Sequence, residues 1–211
     1  MFETSTLVTF VTVVLGLMLI PGPAVLLVMT RTVQGGRKSG IMTGLGIAAG
    51  DLVHTLCASV GLSALLMTSA LAFNVVKMVG AAYLIYLGLR AILEKPSASG
   101  PAQACAAPAV SPAKAFFQAI PVEVLNPKTA LFFLAFLPQF VHPERGSSFL
   151  QFTTLGAIFV ALSIAYTCLV ALSIRPLGRL VKRLSWLSRW QSKIIGTIFI
   201  SLGVKVATQQ R

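Results

Sequence analysis

The chain has 211 residues, of which 56% are hydrophobic and only 10% charged, and its formal net charge is +12. A soluble domain carries roughly 25% charged residues, so this composition excludes an ordinary water-soluble globule and leaves the apolar surface for lipid. Nucleic acid is excluded as a partner, because the basic residues fall mainly between apolar runs, where they set orientation and meet anionic headgroups.

Six apolar runs follow in chain order, most near the roughly 20 residues that cross a bilayer core of about 30 Å. The first, Leu7 to Met29, is preceded by a single charged side chain, Glu3. It lacks the basic lead-in of a signal peptide and exceeds a typical signal core, so it reads as a retained span. The second runs from Ile41 to Met67 and the third from Val75 to Leu93. A Pro-, Ala- and Ser-rich loop, Glu94 to Pro112, separates them from the runs Ala115–Phe140, Phe149–Ile174 and Ile194–Ala207. Trp186 and Trp190 lead into the last run and suit an interfacial belt.

Alternate loops share a side. The loops after the first, third and fifth runs hold Arg31, Arg37, Lys38, Arg90, Lys95, Lys114, Arg175, Arg179, Lys182, Arg183, Arg189 and Lys193; the other side holds Lys77, Arg145, Lys205 and Arg211. Cytoplasmic loops carry the excess of Lys and Arg, which puts both termini outside the cytoplasm.

The two halves look related. Pro23 and Pro127 correspond at an offset of 104 residues, and Lys77, Gly80 and Tyr83 match Lys193, Gly196 and Phe199 at an offset of 116. A unit of three spans emerges on the opposite face, so a second copy is inverted, a recurring design of secondary transporters. The expected fold is an all-α integral membrane protein of about six transmembrane helices in two inverted three-helix repeats. It forms one transporter domain over 1–211: residues 1–93, a cytoplasmic loop 94–112, and residues 113–211.

Few residues break the apolar pattern. Pro21-Gly22-Pro23 cannot continue a regular helix, since each proline lacks a donor and clashes with the preceding turn. Asn126-Pro127 reads as an N-cap followed by proline at the first helical position. Counted from Arg31 and Lys114 at 1.5 Å per residue, the two breaks lie roughly 12 and 18 Å deep. Broken backbone at such depth belongs inside protein or along a watery cavity. Two half-helix N-termini facing one another would hold a carboxylate; the plainer alternative is a pair of proline kinks. Asp51 is a costly carboxylate within the second run, either a substrate, ion or proton site or a bond between helices. His54 shares its helix face. Glu123 and Lys128 flank the second break, and Lys128 needs a partner: Asp51, Glu123 or a bound anion. Gly40, Gly44, Gly46 and Gly50 allow close helix packing. The three cysteines, Cys57, Cys105 and Cys168, make no complete disulfide framework. No metal-ligand cluster, nucleotide loop or nucleophile–base pair appears, so neither a cofactor nor an enzyme activity is expected.

The chain resembles the LysE/RhtB family of small bacterial amino-acid exporters over essentially its whole length. The resemblance rests on Pro21-Gly22-Pro23-Ala24, on the glycine run ending in Gly50-Asp51, on Tyr83-Leu84 to Gly88, and on Asn126-Pro127-Lys128 followed by Leu131 to Phe140. Ile120-Pro121 departs from the glycine-containing lead-in of that family, which leaves the bend of the fourth span open. The resemblance implies a location in the bacterial cytoplasmic membrane and efflux of amino acids or derivatives such as basic amino acids, threonine, homoserine or homoserine lactone. It also implies coupling to the proton motive force without ATP. Substrate or ion binding then falls to Pro21, Gly22, Pro23, Asp51, Asn126, Pro127 and Lys128, with Glu123 added from its place at the break. Partners are the small-molecule substrate, protons and the bilayer, with self-association open. Two alternatives stand beside it: a membrane thiol-redox carrier using Cys57 and Cys168, and a structural membrane protein without transport.

Overall fold

The computed structural model describes residues 2–20, 22–68, 70–93 and 110–181, together with residues 193, 196, 197, 200, 201, 203, 204 and 207. The described residues form an all-helical fold. Helix α1, Thr4–Leu19, ends where Ile20 turns extended. Helix α2, Pro23–Cys57, starts on a proline, whose missing N–H costs nothing at a helix start. A five-residue π-helical stretch, Ala58–Leu62, leads into α3, Ser63–Thr68, and then α4, Ala70–Leu93. After α5, Pro112–Val124, and α6, Pro127–Ala135, two short 3₁₀ turns precede α7, Ser148–Val181.

Helix α2 is not one rod. Gly36 has φ 78° and ψ −177°, a conformation open essentially to glycine alone. There the chain doubles back. A Cβ on Gly40 would lie 3.1 Å from Cβ of Thr32, and Ala24 and Val28 pack in one apolar cluster with Ile47. In a straight helix Ala24 and Ile47 would be roughly 34 Å apart at 1.5 Å per residue. The helix is therefore two arms, residues 23–35 and 37–57, folded against each other.

Among the described residues, two stretches are long and apolar enough to cross a membrane, Pro23–Leu65 (the folded arms included) and Ser148–Ser173. They become three when α5 and the segment Pro127–Phe140, bent by 51°, count as one. This is a membrane protein with several shorter apolar helices. The expected first run contains a break after Leu19, the expected second run lies on the second arm of α2 and on α3, and the expected third lies on α4. The bend that Ile120-Pro121 left open lies beyond Pro121, which stays within α5. Most of the loop 94–112, including Cys105, falls outside the described residues, as do Trp186, Trp190 and much of the expected sixth run.

Small residues draw the helices together. On α2, Gly46 and Gly50 face α5, where added Cβ atoms would lie 2.9 Å from Cβ of Ala119 and 2.6 Å from Cβ of Glu123. Gly44 faces α7, where an added Cβ would lie 2.6 Å from Oγ1 of Thr167. Further along, Thr153 of α7 donates to Ser59 at 3.1 Å. The pairings Gly44–Thr167 and Ser59–Thr153 fix α7 as antiparallel to the second arm. Among the described residues, two apolar clusters fill the interior. One holds seven buried phenylalanines, among them Phe10, Phe132, Phe136 and Phe159. The other consists of Ala24, Val28, Ile47, Ala119 and Ala171, none of them aromatic.

Candidate functional site

The second break is built around a missing donor. Pro127 has no N–H to give the carbonyl of Glu123 four residues back. That carbonyl accepts instead from the backbone N–H of Asn126 at 3.0 Å and from Nε2 of His54, also at 3.0 Å. A carbonyl only accepts, so this contact puts the histidine proton on Nε2. Asn126 caps α6: its Oδ1 accepts from Lys128 N at 3.1 Å. Its Nδ2 donates to both carboxylate oxygens of Glu123, at 3.3 and 3.2 Å, and Thr129 Oγ1 donates to Oε1 of the same carboxylate. Glu123 is only 2% exposed and rests on the first turn of α6, where the helix dipole favours negative charge. The sequence suggested two open half-helix N-termini. The second already holds a carboxylate of the protein's own.

The first break is held by Lys128. Its ammonium donates to the carbonyls of Leu17 at 3.1 Å and Ile20 at 3.0 Å, the end of α1, where a cation is favourable. The sequence offered Asp51, Glu123 or a bound anion as its partner; the hydrogen bonds go to these two carbonyls, while Glu123 and Asp51 act on the ammonium through their charge. A Cβ on Gly22 would lie 3.3 Å from Nζ, so glycine keeps this passage open. Gly22 makes no side-chain cap on α2. With Pro23 lacking an N–H, the first amides of that helix belong to Ala24 and Val25, both beside the cavity described next.

That cavity, about 40 Å³, has room for a few waters. Asp51, Glu123, Asn126 and Lys128 border it, with Met18 and Phe159 among its apolar walls. It lies between the two apolar clusters, taking residues from each. Asp51 is 1% exposed, and neither carboxylate oxygen completes a hydrogen bond. Ser163 and Glu123 stand alongside without the geometry to close one. A buried polar atom without a partner is rare, and a buried charge without one is costly. The site is thus equipped to receive a proton or a cationic group.

Four residues expected from sequence therefore converge on one cavity. Gly22, Pro23 and Pro127 sit at the two helix starts beside it and do not border it themselves, and Pro21 lies outside the described residues. His54 braces the second break and stacks on Phe133 with ring centroids 5.7 Å apart. Sequence reasoning missed Thr129, Ser163, Tyr166 and Thr167, which also border the cavity. Ser163, Tyr166 and Thr167 have the i, i+3, i+4 spacing of one helix face, a polar stripe within an apolar run. Cys57 and Cys168 do not form a pair. Thr167 faces Gly44, which places Cys168 roughly 13 residues, or about 20 Å, from the level of Cys57. Disulfide formation needs Cα atoms within about 7 Å. This removes the geometry a two-thiol carrier requires.

Comparison with known proteins identifies the family. The LysE type translocator family matches residues 15–210. An uncharacterized membrane protein of Pseudomonas aeruginosa is 32% identical over 206 residues, covering 95% of this chain and 94% of its own. The leucine efflux protein of Klebsiella pneumoniae is 29% identical over 216 residues, the whole of both chains. That of Salmonella typhimurium is 29% identical over 195 residues, 92% of this chain and 91% of its own. No solved structure matches. Members of this family are transporters rather than enzymes. From residue 15 almost to its end, this chain belongs to the LysE type translocator family.

Proposed function

We propose that the protein exports amino acids or their derivatives across the cytoplasmic membrane by alternating access, in exchange for protons. The observation that carries this reading is the buried, unpartnered carboxylate of Asp51 in a cavity between two helix breaks. A zwitterion offers an ammonium group to Asp51 and a carboxylate to the free amides of Ala24 and Val25 at the start of α2. Phe159, Met18 and Ile47 supply apolar walls for a side chain. Leucine efflux proteins among the relatives make L-leucine the first substrate to test. The cavity as it stands takes waters, so admitting an amino acid requires its walls to part.

Six spans in two inverted halves, with both termini outside, complete the proposal. Its support is the Pro23 and Pro127 correspondence, one proline-started helix at each break, and the division of basic residues between sides. Glu123 and Asn126 shape the second break in this scheme, and Lys128 holds the first to it.

The test is L-leucine counterflow in proteoliposomes with and without an imposed pH gradient. Flux that responds to the gradient, and its loss in Asp51→Asn with insertion unchanged, is the expected result. Undiminished flux in Asp51→Asn would take this carboxylate out of the mechanism.

A further inference from the structure

The two sides of the cavity are sealed differently. Towards the end where α1, α6 and the start of α7 meet, the seal is the thick cluster with its seven buried phenylalanines. Towards the end that carries Gly36 and the start of α5, the described residues form a smaller cluster of five buried side chains, three of them alanines, with half-buried Leu27, Ile41 and Val170 packed against them and no aromatic ring. That thin side has a polar bolt. Arg31 donates to Oε1 of Gln118 on α5 at 2.9 Å and to Oε1 of Gln34 on its own arm at 3.1 Å. Its Nε is buried with no partner, so Arg31 is held by fewer bonds than it can make.

The arm that bears Arg31, residues 23–35, is bounded at each end by a non-helical joint. Gly22 is extended at one end, and Gly36 has φ 78° at the other. Hinges are a few element-terminal residues that absorb large backbone changes while the rod between them stays intact. The arm also supplies Ala24 and Val25 to the cavity and Ala24 and Val28 to the thin seal. Moving it away from α5 therefore breaches that seal without disturbing the phenylalanine cluster.

We propose that residues 23–35 are the cytoplasmic gate, hinged at Gly22 and Gly36 and bolted shut by Arg31 on Gln118. The proposal rests on reading the cavity as the transport site, but its test needs no substrate. Ser163→Cys, placed beside the cavity in full-length protein with Cys57, Cys105 and Cys168 changed to Ser, reports access. Its labelling by a membrane-impermeant maleimide is followed from each face of oriented vesicles, and a separate Arg37→Cys variant shows which face the arm's end lies on. Gln118→Ala, which removes the bolt's acceptor, should speed Ser163→Cys labelling about ten- to a hundredfold from the face that labels Arg37→Cys, as expected for loss of a hydrogen bond to a charged group. Gln118→Glu, which gives Arg31 a charged acceptor, should slow it below the rate with Gln118. A general loosening of the fold would speed both. Equal rates in the two variants, or faster labelling from the opposite face, would overturn the gate. Absence of leucine flux alongside opposite labelling shifts would count against the transport reading and leave the gate standing.

Discussion

Gly50 is where one methyl group should do the most damage. A Cβ there would lie 2.6 Å from Cβ and 3.1 Å from Cγ of Glu123, and 3.2 Å from the carbonyl oxygen of Ile120. Carbon atoms pack best at about 3.5–4.0 Å, so Gly50→Ala must push α5 away by roughly 1 Å. The obstruction includes the backbone and the stem of a side chain whose far end is already bound by Asn126 and Thr129, so no rotamer change relieves it. Overpacking of this kind costs about 1–3 kcal/mol, and a chain of this size loses about 2–4 °C in Tm per kcal/mol. The expected drop is thus about 2–12 °C, read as the thermal midpoint of the detergent-solubilised protein. Counterflow should fall at the same time, because α5 carries Glu123 into the cavity wall. Gly16, where nothing lies within 4 Å of an added Cβ, is the matched control and should tolerate alanine. Wild-type Tm and wild-type flux in Gly50→Ala would refute the close packing of α2 on α5 and the wall built upon it.

Lys128→Met should lower Tm, since it strips a charge-assisted pair of bonds, each type worth about 1.5–3 kcal/mol, from the end of α1. Lys128→Arg, which keeps the donors, should recover most of that loss; equal Tm for both variants would show that the carbonyl contacts contribute nothing. Asn126→Ala removes the cap of α6, worth about 0.5–2 kcal/mol, and both donors to Glu123, so its cost should exceed that of Thr129→Val, which removes one; thermal midpoints of the two decide it. Cys57→Ser with Cys168→Ser should leave counterflow unchanged, and a loss in the double variant with normal insertion would revive a thiol role.

The breaks were legible in sequence because proline is a local fact: a missing N–H and a ring clash do not depend on what packs nearby. Asn126 was legible as a cap for the same reason. Asp51 stood out because a carboxylate in an apolar run is expensive wherever the helix lies. What could not be read was partnership. Lys128 meets the carbonyls of Leu17 and Ile20, more than 100 residues earlier, and no spacing rule reaches that far. Glu123 folds back on its own break, through a turn whose shape depends on Leu125 and Asn126. Gly36 lies in the connection between the first two apolar runs, Thr30 to Gly40, but only the backbone angles locate the reversal there. The polar stripe of Ser163, Tyr166 and Thr167 is within reach of periodicity, but hydroxyl groups stand out from an apolar run far less than formal charges do.

The three charged residues around the cavity have an electrical consequence. Counted as formal charges, Asp51, Glu123 and Lys128 leave one unbalanced negative charge at the cavity. A zwitterionic cargo adds none, so on the proposed cycle an empty or zwitterion-loaded site changes sides as an anion unless it takes up one cation. Moving one elementary charge through 100 mV is worth about 2.3 kcal/mol, nearly fifty-fold in an equilibrium at room temperature. The resting voltage would then bias which way the empty carrier faces, and current recorded during turnover would count the cations that accompany each cargo.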